Sequence, residues 1–229
     1  MQDHDYPDVS RKRIPVWDLP TRLFHWLLVP LLIGLWYTSQ DVMTMKWHMW
    51  LGYTLLALLL FRIIWGVLGT RSSRFGDFLA GPVTVFRYVR DLLRGKSPTY
   101  TGHNPLGGWS VMLMLGLLLF QGISGLFAND QIFTRGPFAR MVSSSTSNTL
   151  TSLHKSNFDL LLIVIGIHVL AVFLYWLIKR DNLVGPMITG RKWVARGEAS
   201  GVRFASLWWA LVALGVSAAG VWGAVTYLP

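Results

Sequence analysis

The stretch HKSNFDLLLIVIGIH, residues 154–168, decides the architecture. It places a histidine at each end of a run whose second half is apolar, and from Leu160 to Ile178 no Lys, Arg, Asp or Glu interrupts it. A helix needs about 20 such residues to cross roughly 30 Å of hydrocarbon. His154 and His168 lie fourteen residues apart, which on an α-helix is about 21 Å of height and about 40° of azimuth. The two imidazoles therefore share one face and sit near opposite membrane surfaces. Ionisable side chains at that depth are costly without a partner, so each is a functional candidate.

Working outward, four more apolar runs are long enough to span, and the expected spans are 17–38, 47–68, 108–128, 156–178 and 204–227. The 229-residue chain is 52% hydrophobic and only 14% charged, which excludes an ordinary soluble domain. It contains no cysteine, which excludes disulfides, iron–sulfur clusters, thiolate zinc sites and c-type haem attachment. The first run follows a polar tail, residues 1–16, with no small-residue cleavage site, and reads as a retained span.

The net charge of +10 suggests no nucleic-acid partner here, because the basic residues lie between the spans. Arg11, Lys12 and Arg13 precede the first span. Arg71, Arg74, Arg87, Arg90, Arg94 and Lys96 follow the second, and Lys179, Arg180, Arg191, Lys192, Arg196 and Arg203 follow the fourth. The other two connections offer only Lys46, Arg135 and Arg140, with Lys155 at the mouth of the fourth span. Positive charge is retained inside, so the N-terminus is expected to be cytoplasmic and the C-terminus periplasmic. Within the second connection, residues 76–95 alternate apolar and Arg positions at helical spacing, as an interfacial amphipathic helix does. Residues 129–153 read as a polar outer loop, either a flexible connection or a docking surface for a partner, and 179–203 as a basic cytoplasmic connection.

Of six histidines, His4 lies in the tail and His103 in a loop; His25, His48, His154 and His168 fall within or at the ends of spans. Threading alternate helices up and down puts His25 at the inner level of His168 and His48 at the outer level of His154. Two bis-histidine levels separated by most of the bilayer fit two b-type haems, one above the other, each held axially from facing helices. Zinc or copper would want more ligands per site. The competing reading is four separate structural histidines. Arg62 shares a helix face with His48 and lies at the inner level, where it either pairs with a haem propionate or snorkels to the surface. Arg22, beside His25, has the same two readings. Gly52, Gly116, Gly122, Gly125 and Gly166 admit close approach of a macrocycle or of a neighbouring helix.

Together, several segments resemble the bacterial cytochrome b561 family, which includes the b-type cytochrome subunits of membrane nickel–iron hydrogenases. They are Val16-Trp17-Asp18-Leu19-Pro20-Thr21-Arg22 with His25-Trp26, His48 with Gly52, Arg62 with Trp65-Gly66, Gly102-His103-Asn104-Pro105-Leu106-Gly107, His154 with His168, and Met187-Ile188-Thr189-Gly190. The resemblance covers residues 14–192. It implies that His25, His48, His154 and His168 are axial iron ligands of two haems b, that Arg22 and Arg62 belong to the haem environment, and that electrons pass between a redox partner and quinone. His103 matches a family position outside the bundle and is read as packing, propionate contact or proton handling.

The expected fold is an all-α integral membrane protein, a four-helix transmembrane haem-binding bundle (17–178) plus a fifth C-terminal transmembrane helix (204–229). The expected function is electron transfer between a partner, a periplasmic c-type cytochrome or a hydrogenase, and the quinone pool of a bacterial inner membrane. A stand-alone superoxide:quinone oxidoreductase and a haem-free anchor or transporter are the alternatives. Asp159 either relays protons or pairs with Lys155. The fifth helix repeats Gly215, Ala219 and Gly223 at every fourth position, a face suited to the bundle, a second copy or a partner's helix.

Overall fold

The computed structural model describes residues 11–195 and 202–228, so His4 and Arg196 lie outside the described residues. Five helices are long and apolar enough to span: α1 (Leu19–Thr38), α2 (Met45–Leu68), α5 (Pro105–Leu126), α6 (Ser144–Lys179) and α8 (Leu207–Tyr227). Shorter elements lie between them: α3 (Phe75–Phe78), α4 (Pro82–Leu93) and α7 (Val184–Thr189), with strands β1 (Arg11–Pro15) and β2 (Arg191–Ala195). Four of the spans begin at a polar side chain that satisfies an orphan N–H. Asp18 accepts from the Thr21 amide at 2.9 Å, Asn104 from Gly107 at 2.7 Å, Ser143 from Thr146 at 3.1 Å and Ser206 from Trp208 at 3.3 Å.

Helix α2 is the hub. It packs on α1, α5 and α8, while α6 packs along α5, and Leu55, Leu59 and Trp65 of α2 are fully buried. The outer faces are apolar, with Ile33, Ile163 and Ile167 each 60% exposed, as surfaces solvated by lipid tails require. The amphipathic α4 is a helix within the 76–95 segment, and Tyr88 ties it to α6 by a 2.6 Å hydrogen bond to Tyr175.

Three features depart from the sequence reading. First, residues 144–153 are helix rather than loop, so α6 has 36 residues, about 54 Å at 1.5 Å per residue and longer than the bilayer is thick. Its polar start is held because Thr149 and Thr151 donate to the carbonyls of Ser145 and Ser147, and the Asn129 amide donates to Thr151 Oγ1 at 3.0 Å. Second, β1 and β2 form an antiparallel pair that joins the N-terminal segment to the fourth connection, with Arg13 opposite Trp193. Ile14, Val16 and Trp17 bury against Met187 and Val194 beneath it. Third, α8 meets the bundle through Ala210, Ala213 and Ser217. A Cβ added at Gly215 or Gly223 would meet no described atom within 4 Å, so of the three expected occupants of that small-residue stripe the bundle is not one.

Candidate functional site

The histidines of each pair face one another, at two levels fourteen residues apart along α6. His25 of α1 and His168 of α6 have ring centroids 6.3 Å apart, and His48 of α2 and His154 of α6 are likewise 6.3 Å apart. An imidazole nitrogen lies about 1.1 Å from its ring centroid and binds a metal at about 2.0 Å, so two imidazoles on opposite sides of one ion place their centroids about 6.2 Å apart. Both pairs meet that requirement. No group of three or more His, Asp or Glu side chains able to hold a metal occurs among the described residues, so each pair offers two ligands and no more. That donor set suits a metal whose remaining positions come from a macrocycle.

The surroundings also fit a flat group. Helix α6 makes no extended packing with α1 or α2, and reaches them at the two imidazole pairs. A Cβ at Gly52, one turn beyond His48 on the same face of α2, would meet no described atom within 4 Å; the same holds at Gly116 and Gly166, but both are exposed, and Gly166, two residues before His168, faces away from it. Gly122 and Gly125 serve otherwise: a Cβ at Gly122 would strike Leu56 at 2.6 Å, and one at Gly125 would strike the His154 ring at 2.9 Å. Gly122 thus permits helix contact, and Gly125 makes room for a candidate ligand.

The outer pair has a supporting hydrogen-bond shell. His48 Nδ1 lies 2.8 Å from the Leu35 carbonyl and His154 Nδ1 2.9 Å from that of Gln121. An Nδ1–H donated there fixes the tautomer that leaves Nε2 for a metal. In this structure the Gln121 side-chain amide donates to that His154 Nε2 at 3.2 Å, the position a metal would take, and Gln121 is itself held by Asn157, whose amide donates to Gln121 Oε1 at 2.6 Å and to the Leu117 carbonyl at 3.1 Å. Sequence reasoning passed over Gln121, Asn157 and Ser124, whose Oγ lies 3.1 Å from His154 Nδ1. Their signal is a polar side chain inside an apolar run, with Asn157 three residues beyond His154.

The inner pair shows no such hydrogen bonds among the described residues. His25 Nδ1, Arg22 Nε, Arg62 Nη1 and His103 Nδ1 are buried polar atoms with no hydrogen-bond partner among the described residues. Arg62 is 3% exposed and lies over the Phe75 ring at 4.7 Å. It does not snorkel to solvent. A buried guanidinium with an unused donor is the feature a carboxylate such as a propionate satisfies. Arg22 donates from Nη1 to the Ile188 carbonyl. His103 sits between Trp17 and Phe78, at 4.7 and 4.3 Å between centroids. Burial, and secondly the charge of Arg62, push its pKa down to about 3, so it is neutral near pH 7 and does not handle protons by simple protonation.

A further polar group was visible in sequence only as part of a motif. Asp18, 1% exposed, caps α1 and also accepts from Trp65 Nε1 at 3.0 Å and from Ser73 Oγ at 3.1 Å. Ser73 in turn lies 2.6 Å from Thr21 Oγ1. Asp159 is exposed on the outer surface of α6, away from the histidines, and forms no ion pair with Lys155 among the described residues.

The family described as prokaryotic cytochrome b561 matches residues 16–190. No curated protein and no solved structure matches the chain. The five apolar helices and this match define a class, a multi-pass membrane b-type cytochrome that works in electron transfer. The chain belongs to the prokaryotic cytochrome b561 family.

Proposed function

We propose that the chain holds two haems b and carries electrons across a bacterial inner membrane between a redox partner on the outer side and the quinone pool. His25 and His168 are the ligands of the inner haem and His48 and His154 those of the outer one. When bound, a b-type haem supplies a one-electron iron couple whose potential the protein sets through ligand basicity, burial and nearby charge. The observation that carries the reading is the pair of facing imidazoles at the same 6.3 Å separation at two levels of one helix. Four unrelated structural histidines give no reason for that equality.

Each neighbour then has a task. Leu35 and Gln121 orient the outer imidazoles through their carbonyls, Arg62 offers its free Nη1 to an inner propionate, and Asp18 fixes the start of the helix that carries Arg22 and His25. The projecting start of α6 and the loop before it present a polar surface at the outer end, which supports docking of a c-type cytochrome or a hydrogenase there. Basic residues at the opposite end support a cytoplasmic N-terminus and a periplasmic C-terminus.

The test is the haem-to-protein ratio of the purified chain. Two haems are expected; one in the unmodified protein would overturn the assignment. His25→Ala or His168→Ala should leave only the outer haem, and His48→Ala or His154→Ala only the inner, read from the low-spin spectra and midpoint potentials. Copurification in mild detergent then identifies the partner.

A further inference from the structure

Helix α4 is tied to one end of the bundle. Just before it, the Ala80 carbonyl accepts from Nε1 of Trp109, one turn into α5, at 2.8 Å, and Tyr88 of α4 bonds to Tyr175, one turn before the end of α6. The chain that follows is held at the same end, with Lys179 Nζ donating to the Ser97 carbonyl and Lys192 Nζ to the Tyr100 carbonyl, each at 3.0 Å. The first turn of one span and the last turn of another mark the edge of the hydrocarbon, so α4 sits at head-group level. Its side chains sort into four edges at about 100° per residue. Val85, Tyr88, Val89 and Leu92 face the bundle, with Tyr88 buried. On the opposite side, within about 60° of one another, are Arg87, Arg90 and Arg94, all exposed. Between these two faces, one edge carries Phe86 and Leu93, 72% and 83% exposed, and the other carries Thr84 and Asp91.

We infer that Arg87, Arg90 and Arg94 bind the phosphodiester head groups of anionic phospholipids in the leaflet around this end, with Phe86 and Leu93 set among the acyl chains. The inference does not rest on the haem or quinone reading. The order of the edges selects the occupant. With Phe86 and Leu93 turned to the hydrocarbon, Thr84 and Asp91 turn to water, and the arginines point away from the bundle into the phosphate layer between. An acidic protein would match the charge but leave two large apolar side chains facing water. A zwitterionic head group would accept the apolar edge but brings an ammonium of its own to the arginines. The charge at this end is also unbalanced. Asp77 pairs with Arg71 and Arg74 at 3.7 and 2.7 Å, Asp91 with Arg90 at 3.1 Å and Asp181 with Lys192 at 2.7 Å, while Asp18 is taken up by its buried donors. Arg87 and Arg94 therefore have no carboxylate partner among the described residues. A planar guanidinium meets two phosphate oxygens at once, which a lipid phosphodiester presents.

The experiment uses the full chain in phosphatidylcholine nanodiscs that contain a minor share of photoreactive phosphatidylglycerol or of the matching photoreactive phosphatidylcholine. Phosphatidylglycerol is expected to label peptides spanning 82–94 more strongly than phosphatidylcholine does. Arg87→Gln and Arg94→Gln should each lower that preference about fivefold, with thermal unfolding unchanged because neither side chain packs on the bundle. The corresponding Arg→Lys variants keep the charge and should keep most of the preference. Raising the salt concentration should weaken it in the unmodified chain, and this series needs no substitution, so it decides the matter where a variant fails to fold. Equal labelling by the two lipids, a preference that both Gln variants retain, or one that salt leaves unchanged overturns the inference. So does a stripe that shows no lipid preference but whose Gln variants lose a copurifying protein, which assigns it to a protein interface instead.

Discussion

Replacing Asp18 with Ala removes one carboxylate from the meeting point of α1, α2 and the turn at Ser73. The structure fixes the size of the effect. Three donors lose their acceptor: the Thr21 amide at 2.9 Å, Trp65 Nε1 at 3.0 Å and Ser73 Oγ at 3.1 Å. Asp18, Trp65 and Ser73 are all under 2% exposed, so water does not replace it. Loss of an N-cap costs about 1 kcal/mol, and a buried donor left unpaired about 1–3 kcal/mol. Ser73 keeps Thr21 Oγ1 as a partner at 2.6 Å, which lowers its share. Because the terms share one group and do not simply add, the loss is on the order of 3–5 kcal/mol. For a chain of this length that is a fall of about 10 °C in melting temperature. Asp18→Asn keeps an oxygen for the cap but turns an amide donor towards Trp65 or Ser73, and should lose nearly as much. The assay is thermal unfolding in detergent, followed by tryptophan fluorescence and haem absorbance together. Since α1 carries Arg22 and His25, the inner haem should leave first. A melting point within about 2 °C of the unmodified protein, or earlier loss of the outer haem, refutes the reasoning.

Gly125→Val places side-chain carbon where a Cβ alone is 2.9 Å from the His154 ring, so it should remove the outer haem or shift its potential while the inner spectrum stays unchanged; equal loss of both would show a general packing defect instead. His103, with its pKa pushed from 6.5 down to about 3, takes up a proton more readily in the unfolded chain. Its contribution to stability is complete above about pH 6.5 and is lost as pH falls towards 3, at about 1.4 kcal/mol per pH unit. His103→Gln should therefore flatten the fall of the unfolding free energy with acidification, and identical slopes in the two proteins would refute the assignment.

Much of the site was legible because the forces that place it are local. Hydropathy fixes the spans, and the 3.6-residue period puts His154 and His168 on one face whatever else the chain does. The misread parts depend on residues distant in sequence. The Ser143–Asn148 run looks like loop because short hydroxyl side chains compete for backbone hydrogen bonds; its helix is held partly by Asn129, two dozen residues or fewer away on another segment. β1 and β2 are five residues each and rich in charge, so neither shows a period, and they exist because each supplies the other's edge. Asp18 announces its cap in Asp-x-x-Thr, but its partners Trp65 and Ser73 are 47 and 55 residues on.

The same distinction separates the two histidine pairs, which the sequence makes look equivalent. The outer imidazoles rest on the carbonyls of Leu35 and Gln121, while His25 Nδ1 has no such partner among the described residues and lies beside Arg22 and near the level of Arg62. Iron held by the outer pair would have pre-oriented ligands made more basic by their hydrogen bonds, which stabilises the oxidised state. Iron held by the inner pair would feel cations, which stabilise the reduced state unless a propionate neutralises them. Identical ligands therefore do not imply identical potentials. The neighbours of each pair set the difference.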